Sequence, residues 1–218
     1  MLDTLKHTIL NPQWYIEIGG LYMLLFVIFA ETGLFVGFFL PGDSLLFVAG
    51  IYAQELADKF FGVPYIVIMI LIAMAGILGN FVGYWFGKKS GPMLYKKEDS
   101  FFFKKKHLEN ARKFYEKNGA LTIIAARFLP IIRTFVPIVA GMVKMDSKKF
   151  TLYNIIGSFA WVFSMMFAGL ILGKQFPWIK ERLEIIVIVI ILVTTLPVIL
   201  KFALGGKKED ESLPEDTF

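Results

Sequence analysis

Residues 119–143 read GALTIIAARFLPIIRTFVPIVAGMV, an apolar run broken by Arg127, Pro130, Arg133 and Pro137. A run of this length is what a bilayer asks of a crossing helix, about 20 residues. Yet each arginine near the membrane centre costs roughly 2.5–3.5 kcal/mol on insertion scales, and proline removes a backbone donor and ends or kinks a helix. Backbone groups freed by such a break cannot face lipid; they are buried in protein or line a wet cavity. The stretch therefore predicts a broken, re-entrant helical hairpin inside a membrane bundle. On a straight α-helix the six-residue offset between Arg127 and Arg133 leaves them about 120° off a common face. A bend at Pro130 or Pro137 lets both guanidiniums converge.

Working outward, the first part of the chain repeats this pattern with opposite charge. Residues 20–58 hold two apolar stretches, 20–40 and 44–53, separated by Pro41-Gly42-Asp43. Glu31 lies in the middle of the first stretch, and the second is too short to cross the hydrocarbon core unaided. Pro41 and Gly42 stop the helix, so Asp43 follows a chain reversal. Glu31 precedes Pro41 by ten residues, and Arg127 precedes Pro137 by ten. Each broken segment is followed by a long apolar span. Residues 64–87 carry no charge and one strongly polar residue, Asn80; residues 150–173 are uncharged, with Asn154 the main polar exception. Paired interrupted segments in corresponding halves point to a midplane site in inverted-repeat transporters.

The expected fold is an all-α integral membrane protein. It is an inverted-repeat bundle with two facing re-entrant hairpins, about three full transmembrane helices and peripheral amphipathic helices. A single domain over residues 1–206 divides into a first hairpin (20–58), a span (64–87), an amphipathic cytoplasmic helix (100–118), a second hairpin (119–143) and spans at 150–173 and 183–204. Residues 207–218 form a polar tail expected to be disordered, and residues 1–19 a short amphipathic helix with interfacial Trp14 and Tyr15.

Composition agrees. Of the 218 residues 56% are hydrophobic and 16% aromatic, with 19% charged, against about a quarter charged in a soluble domain. There is no cysteine, which excludes disulfides and thiolate chemistry. His7 and His107 are the two histidines, too far apart in sequence to suggest a metal site; no metal and no cofactor are expected. The first ten residues lack the features of a signal peptide. Ten lysines and arginines fall between residues 88 and 117, whereas loop 54–62 has only Lys59. The positive-inside rule places 88–118 and, by parity, the C-terminus in the cytoplasm. Those basic residues fit topology, so nucleic acid is not an expected partner.

The chemistry follows from the four intramembrane charges, which compensate one another or face water. Arginine stays charged and grips phosphate oxygens bidentately, so Arg127 and Arg133 are candidates to hold a lipid headgroup while its chains stay in the bilayer. A carboxylate withdrawn from water can take up and release a proton near neutral pH, which makes Glu31 and Asp43 candidates for proton coupling. A competing account of Asp43 has it snorkelling at an interface. Asn154 either contacts the headgroup or makes an interhelical hydrogen bond. Gly79, Gly83 and Gly87 form a small-residue stripe suited to close helix packing and admit a homodimer; Trp161 and Phe163 read as packing residues.

These residues together resemble the DedA family, bacterial relatives of the eukaryotic SNARE-associated (VTT-domain) scramblases. Phe29-Ala30-Glu31-Thr32-Gly33, ahead of Pro41-Gly42-Asp43-Ser44, is similar to the family's first motif, and Arg127-Phe128-Leu129-Pro130-Ile131-Ile132-Arg133-Thr134 to its second. Gly141, Met145, Phe150 and Asn154 match the third. The resemblance implies facing re-entrant hairpins, essential roles for Glu31, Asp43, Arg127 and Arg133, and movement of undecaprenyl phosphate or phospholipids across the bacterial cytoplasmic membrane, often linked to protons. Asn80 departs from the family, many of whose members carry an acid there. Two other classes compete. A membrane-embedded lipid-phosphate enzyme needs a nucleophile or base beside its arginines, and neither histidine accompanies them, so no enzyme is expected. A structural factor for membrane homeostasis needs only that the charges pair.

Overall fold

Pro130 opens a helix rather than breaking one. Its missing N–H falls at the first helical position, where no acceptor is available anyway, and the helix runs from Pro130 to Met142 with Pro137 inside it. The expected interruption at Pro137 is therefore absent, and the break lies wholly at residues 127–129. There the amides of Arg127, Phe128 and Leu129 bond to the carbonyls of Ile124, Ala125 and Ala126, an i→i−3 pattern that satisfies the backbone while redirecting the chain.

The computed structural model describes residues 20–34, 42–96, 121–176 and 178–183. The expected surface helices at 1–19 and 100–118, Pro41, the last span beyond 183 and the 207–218 tail lie outside the described residues. All regular elements among those described are α-helices: α1 (Gly20–Gly33), α2 (Gly42–Ile51), α3 (Ala53–Lys59), α4 (Tyr65–Lys96), α5 (Leu121–Ala126), α6 (Pro130–Met142), α7 (Ser147–Gln175) and α8 (Trp178–Glu181). The start of α7 is fixed by Asp146, whose carboxylate accepts from the Lys149 amide at 2.9 Å, a standard N-cap.

Among the described residues two helices are long and apolar enough to cross a membrane, Tyr65–Gly91 and Ser147–Gln175, of 27 and 29 residues. At about 1.5 Å per residue they exceed the roughly 30 Å hydrocarbon core. By contrast α1 has 14 residues, α2 has 10 and α6 has 13, so none of the three reaches across alone. The outward face of α4 carries Ile66, Ile70, Met74, Leu78, Val82 and Trp85, all exposed. Spaced three or four apart, they make one apolar stripe. Glu31, Arg127 and Arg133 are buried while this apolar stripe is exposed, the arrangement lipid selects. The described residues are all-helical, with an exposed apolar face of the kind a membrane accepts.

The short helices are shared between the long ones in a crossed pattern. α4 packs against α1 and α6, α7 packs against α2 and α5, and α4 touches α7. In each of the pairs α1–α2 and α5–α6, the first helix thus lies on the long helix that follows it, and the second on the other long helix. Glycines make the contacts of α2 and α6 close. A Cβ at Gly50 would overlap the Met166 carbonyl and one at Gly169 the Phe47 carbonyl; likewise Gly141 meets the Tyr84 carbonyl and Gly87 the Ile138 carbonyl. The two crossings are reciprocal in the same way, each glycine seated on the carbonyl three residues before the other's. The stripe Gly79, Gly83 and Gly87 is thereby occupied within the chain, Gly79 against α1 and the other two against α6.

Candidate functional site

Glu31 closes α1, Asp43 stands in the first turn of α2, and Arg133 in the first turn of α6. The crossed packing brings these helix ends together. Arg133 donates through Nη2 to Glu31 Oε1 and through Nη1 to Asp43 Oδ1. Glu31 and Arg133 are buried, and the Asp43 side chain is 15% exposed. Trp161 of α7 completes the cluster. Its Nε1–H donates to Asp43 Oδ1 at 2.9 Å, and its ring lies 4.7 Å from the Arg133 guanidinium carbon. Gly42 makes room for this, because a Cβ there would land on the Glu31 carboxylate.

Arg127, on the connection ahead of α6, turns to a different set of partners. Its Nη2 donates to Asn154 Oδ1. The same oxygen accepts from Asn80 Nδ2 at 3.1 Å and Ser158 Oγ at 3.4 Å, while Asn154 Nδ2 donates to the Ile77 carbonyl at 3.2 Å. Gly157, one α7 turn on, leaves space beside the arginine stem, where a Cβ would stand 3.2 Å from Arg127 Cγ. Arg127, Asn80, Asn154 and Ser158 are all buried. Arg127 has no ion-pair partner among the described residues; the two bridges within the bundle both belong to Arg133. Arg127 Nη1, Asn80 Oδ1, Arg133 Nε, Glu31 Oε2 and Thr134 Oγ1 are buried without a hydrogen-bond partner among the described residues.

The expected meeting of Glu31, Asp43 and Arg133 is present, with two corrections. The four charges do not form one set, since Arg133 takes both carboxylates and Arg127 sits in a separate, neutral polar node. They also do not line an open hollow: Glu31, Arg127 and Arg133 are 2%, 3% and 4% exposed. Asp43 is held by Arg133 and Trp161. Asn154 does make interhelical hydrogen bonds, and it also holds Arg127. Trp161 is more than a packing residue, and Ser158 and Gly157 escaped sequence reading. A helical face Asn154, Ser158, Trp161 at i, i+4, i+7 was the available signal. Among the described residues no group of three or more His, Cys, Asp or Glu gathers as a metal site would. Of the expected hinge residues, Pro130 and Gly42 stand at helix starts and Pro137 is buried in the body of α6.

Short helices packed between two long apolar ones around buried ions are the features of a helical membrane protein with a buried charged cluster. The comparisons narrow this. The VTT domain matches residues 40–171. The chain is 44% identical to protein DedA of Escherichia coli strain K12 over 81% of its own length and 79% of the relative's. It is 37% identical to an uncharacterised membrane protein of Mycobacterium tuberculosis, covering 89% and 86%, and 30% identical to the E. coli K12 inner membrane protein YqjA, covering 91% and 86%. No solved structure matches the chain. The protein belongs to the DedA (VTT-domain) family of membrane proteins.

Proposed function

We propose that the protein moves phosphate-bearing lipids, undecaprenyl phosphate or phospholipids, across the bacterial cytoplasmic membrane, and that α1–α2 and α5–α6 are facing re-entrant hairpins of an inverted repeat. The observation that carries the reading is Arg127, a buried guanidinium whose direct partner is a neutral amide and whose Nη1 has no hydrogen-bond partner among the described residues. A cation so placed costs several kcal/mol unless an anion joins it. Phosphate, with oxygens matching the guanidinium fork, is the anion that arginine geometry favours. The crossed helix packing and the two reciprocal glycine crossings support the repeat.

In this reading the described arrangement is a closed state. Proton uptake by Glu31 and Asp43 frees Arg133 to join Arg127 on the headgroup, and proton release restores the ion cluster. Asn154 positions Arg127 and is itself within reach of the headgroup. The basic residues between 88 and 117 set the cytoplasmic side, together with the C-terminus. The protein is then a transporter or scramblase, not an enzyme, and works without a cofactor or metal.

The test is movement of labelled lipids in proteoliposomes, with and without a pH gradient, comparing wild type with Arg133→Ala. Movement in the wild type that the variant loses is expected. Equal movement in both contradicts the proposal, and phosphate released from lipid by the purified protein would instead establish an enzyme. A purely structural factor would keep its function in the exchanged pair Glu31→Arg with Arg133→Glu, whereas a transporter loses it.

A further inference from the structure

Trp161 touches both members of the ion pair that the transport reading needs to separate. Its Nε1–H donates to Asp43 Oδ1 at 2.9 Å, the same oxygen that accepts from Arg133 Nη1. Its ring face lies 4.7 Å from the Arg133 guanidinium carbon, cation–π geometry. The residue is 1% exposed, and Gly76 of α4 backs it: a Cβ there would be 4.0 Å from Trp161 Cζ3. One side chain of α7 therefore binds the first turn of α2 and covers the first turn of α6. The charged groups around it are Asp43 from α2, Arg133 from α6 and, behind Arg133, Glu31 from α1. Its N–H gives Asp43 a neutral donor, and its ring takes the guanidinium face that an incoming anion would otherwise approach.

We propose that Trp161 is the latch of the closed state, a positioning residue that holds Asp43 and Arg133 together and must yield before Arg133 can engage a phosphoryl group. The inference rests on the phosphate reading of the site but not on movement across the bilayer. If the closed state competes with an anion for Arg133, the apparent affinity equals the intrinsic one scaled by the competent fraction. Removing a hydrogen bond to a charged group raises that fraction by roughly tenfold. Trp161→Phe deletes the N–H and keeps a ring face; Trp161→Leu deletes both.

The experiment is calorimetric titration of dioleoyl phosphatidic acid, and separately of inorganic phosphate, into the purified full chain in detergent micelles. Trp161→Phe is expected to bind at least about fivefold more tightly than wild type. Asp43→Asn should also gain affinity, and adding it to Trp161→Phe should gain less than the product of the single effects. A gain with the lipid alone assigns the latch to a headgroup held in the membrane; an equal gain with free phosphate assigns it to the phosphoryl group itself. Binding by Trp161→Phe equal to or weaker than wild type overturns the latch, as does absence of binding in every protein. Should the Trp161 variants fail to fold, emission from a protein retaining Trp161 alone (Trp14, Trp85 and Trp178→Phe) decides. A shift on Asp43→Asn and on adding phosphatidic acid supports the proposal, and no shift in either rejects it. Failure of lipid movement in vesicles with these responses intact would sink the transport reading and leave the latch standing.

Discussion

The two arginines of the site differ in what they touch, and that difference makes opposite predictions for their neighbours. Arg133 has both carboxylates, so removing one leaves a buried charge less compensated. Glu31→Ala is expected to lower stability by about 3–5 kcal/mol, read as a fall in the midpoint of thermal unfolding in detergent; an unchanged midpoint would mean that the pair contributes nothing. Arg127 has an amide where an anion fits. Asn154→Asp would supply an internal carboxylate, leaving the protein folded while lipid movement falls about tenfold or more, because the new charge competes with phosphate for the same guanidinium. A wild-type rate in Asn154→Asp would remove Arg127 from the headgroup site. At this scale the sequence was informative about which groups are charged and where they break an apolar run. It was silent about partners. Nothing local in a helix that carries Trp161 shows that its N–H reaches Asp43, 118 residues away. The Asn80–Asn154 bond, spanning 74 residues, was equally hidden.

Helix elements show where proline and glycine patterns were legible and where they were ambiguous. Proline in an apolar run marks a break, and the break is there, but a proline at N1 starts a helix whereas one inside it can be accommodated. Pro130 and Pro137 look alike in sequence, and only the backbone separates them. The glycine stripe on α4 was readable as close packing, but not its partner. Its members now carry distinct expectations. Gly87→Ala places a methyl on the Ile138 carbonyl, whereas at Gly83 the nearest atoms would be at 3.5 Å, ordinary contact. Gly87→Ala is therefore expected to cost about 1–3 kcal/mol and Gly83→Ala much less, measured by thermal unfolding of the two purified variants. Equal effects would contradict the described α4–α6 crossing. The mirrored change Gly169→Ala, against the Phe47 carbonyl, should resemble Gly87→Ala, since both crossings are built the same way.

At the scale of the molecule, the exposed apolar stripe of α4, the two long helices and the crossed short ones among the described residues follow from one requirement: ions withdrawn from water need partners, and short helices need neighbours to cover their ends. The sequence implied this architecture through its charges and breaks, because lipid punishes both if left exposed. It did not reveal that the charges divide into a paired cluster and a separate guanidinium, which depends on the turn at residues 127–129. That division is the basis of the functional account. Its most direct test is the rate at which a labelled phosphate-bearing lipid crosses the bilayer of proteoliposomes containing wild type or Arg127→Ala, each verified as folded by its thermal unfolding. The account predicts rapid movement with the wild type and movement indistinguishable from protein-free vesicles with Arg127→Ala; a folded Arg127→Ala that matches the wild-type rate would contradict it.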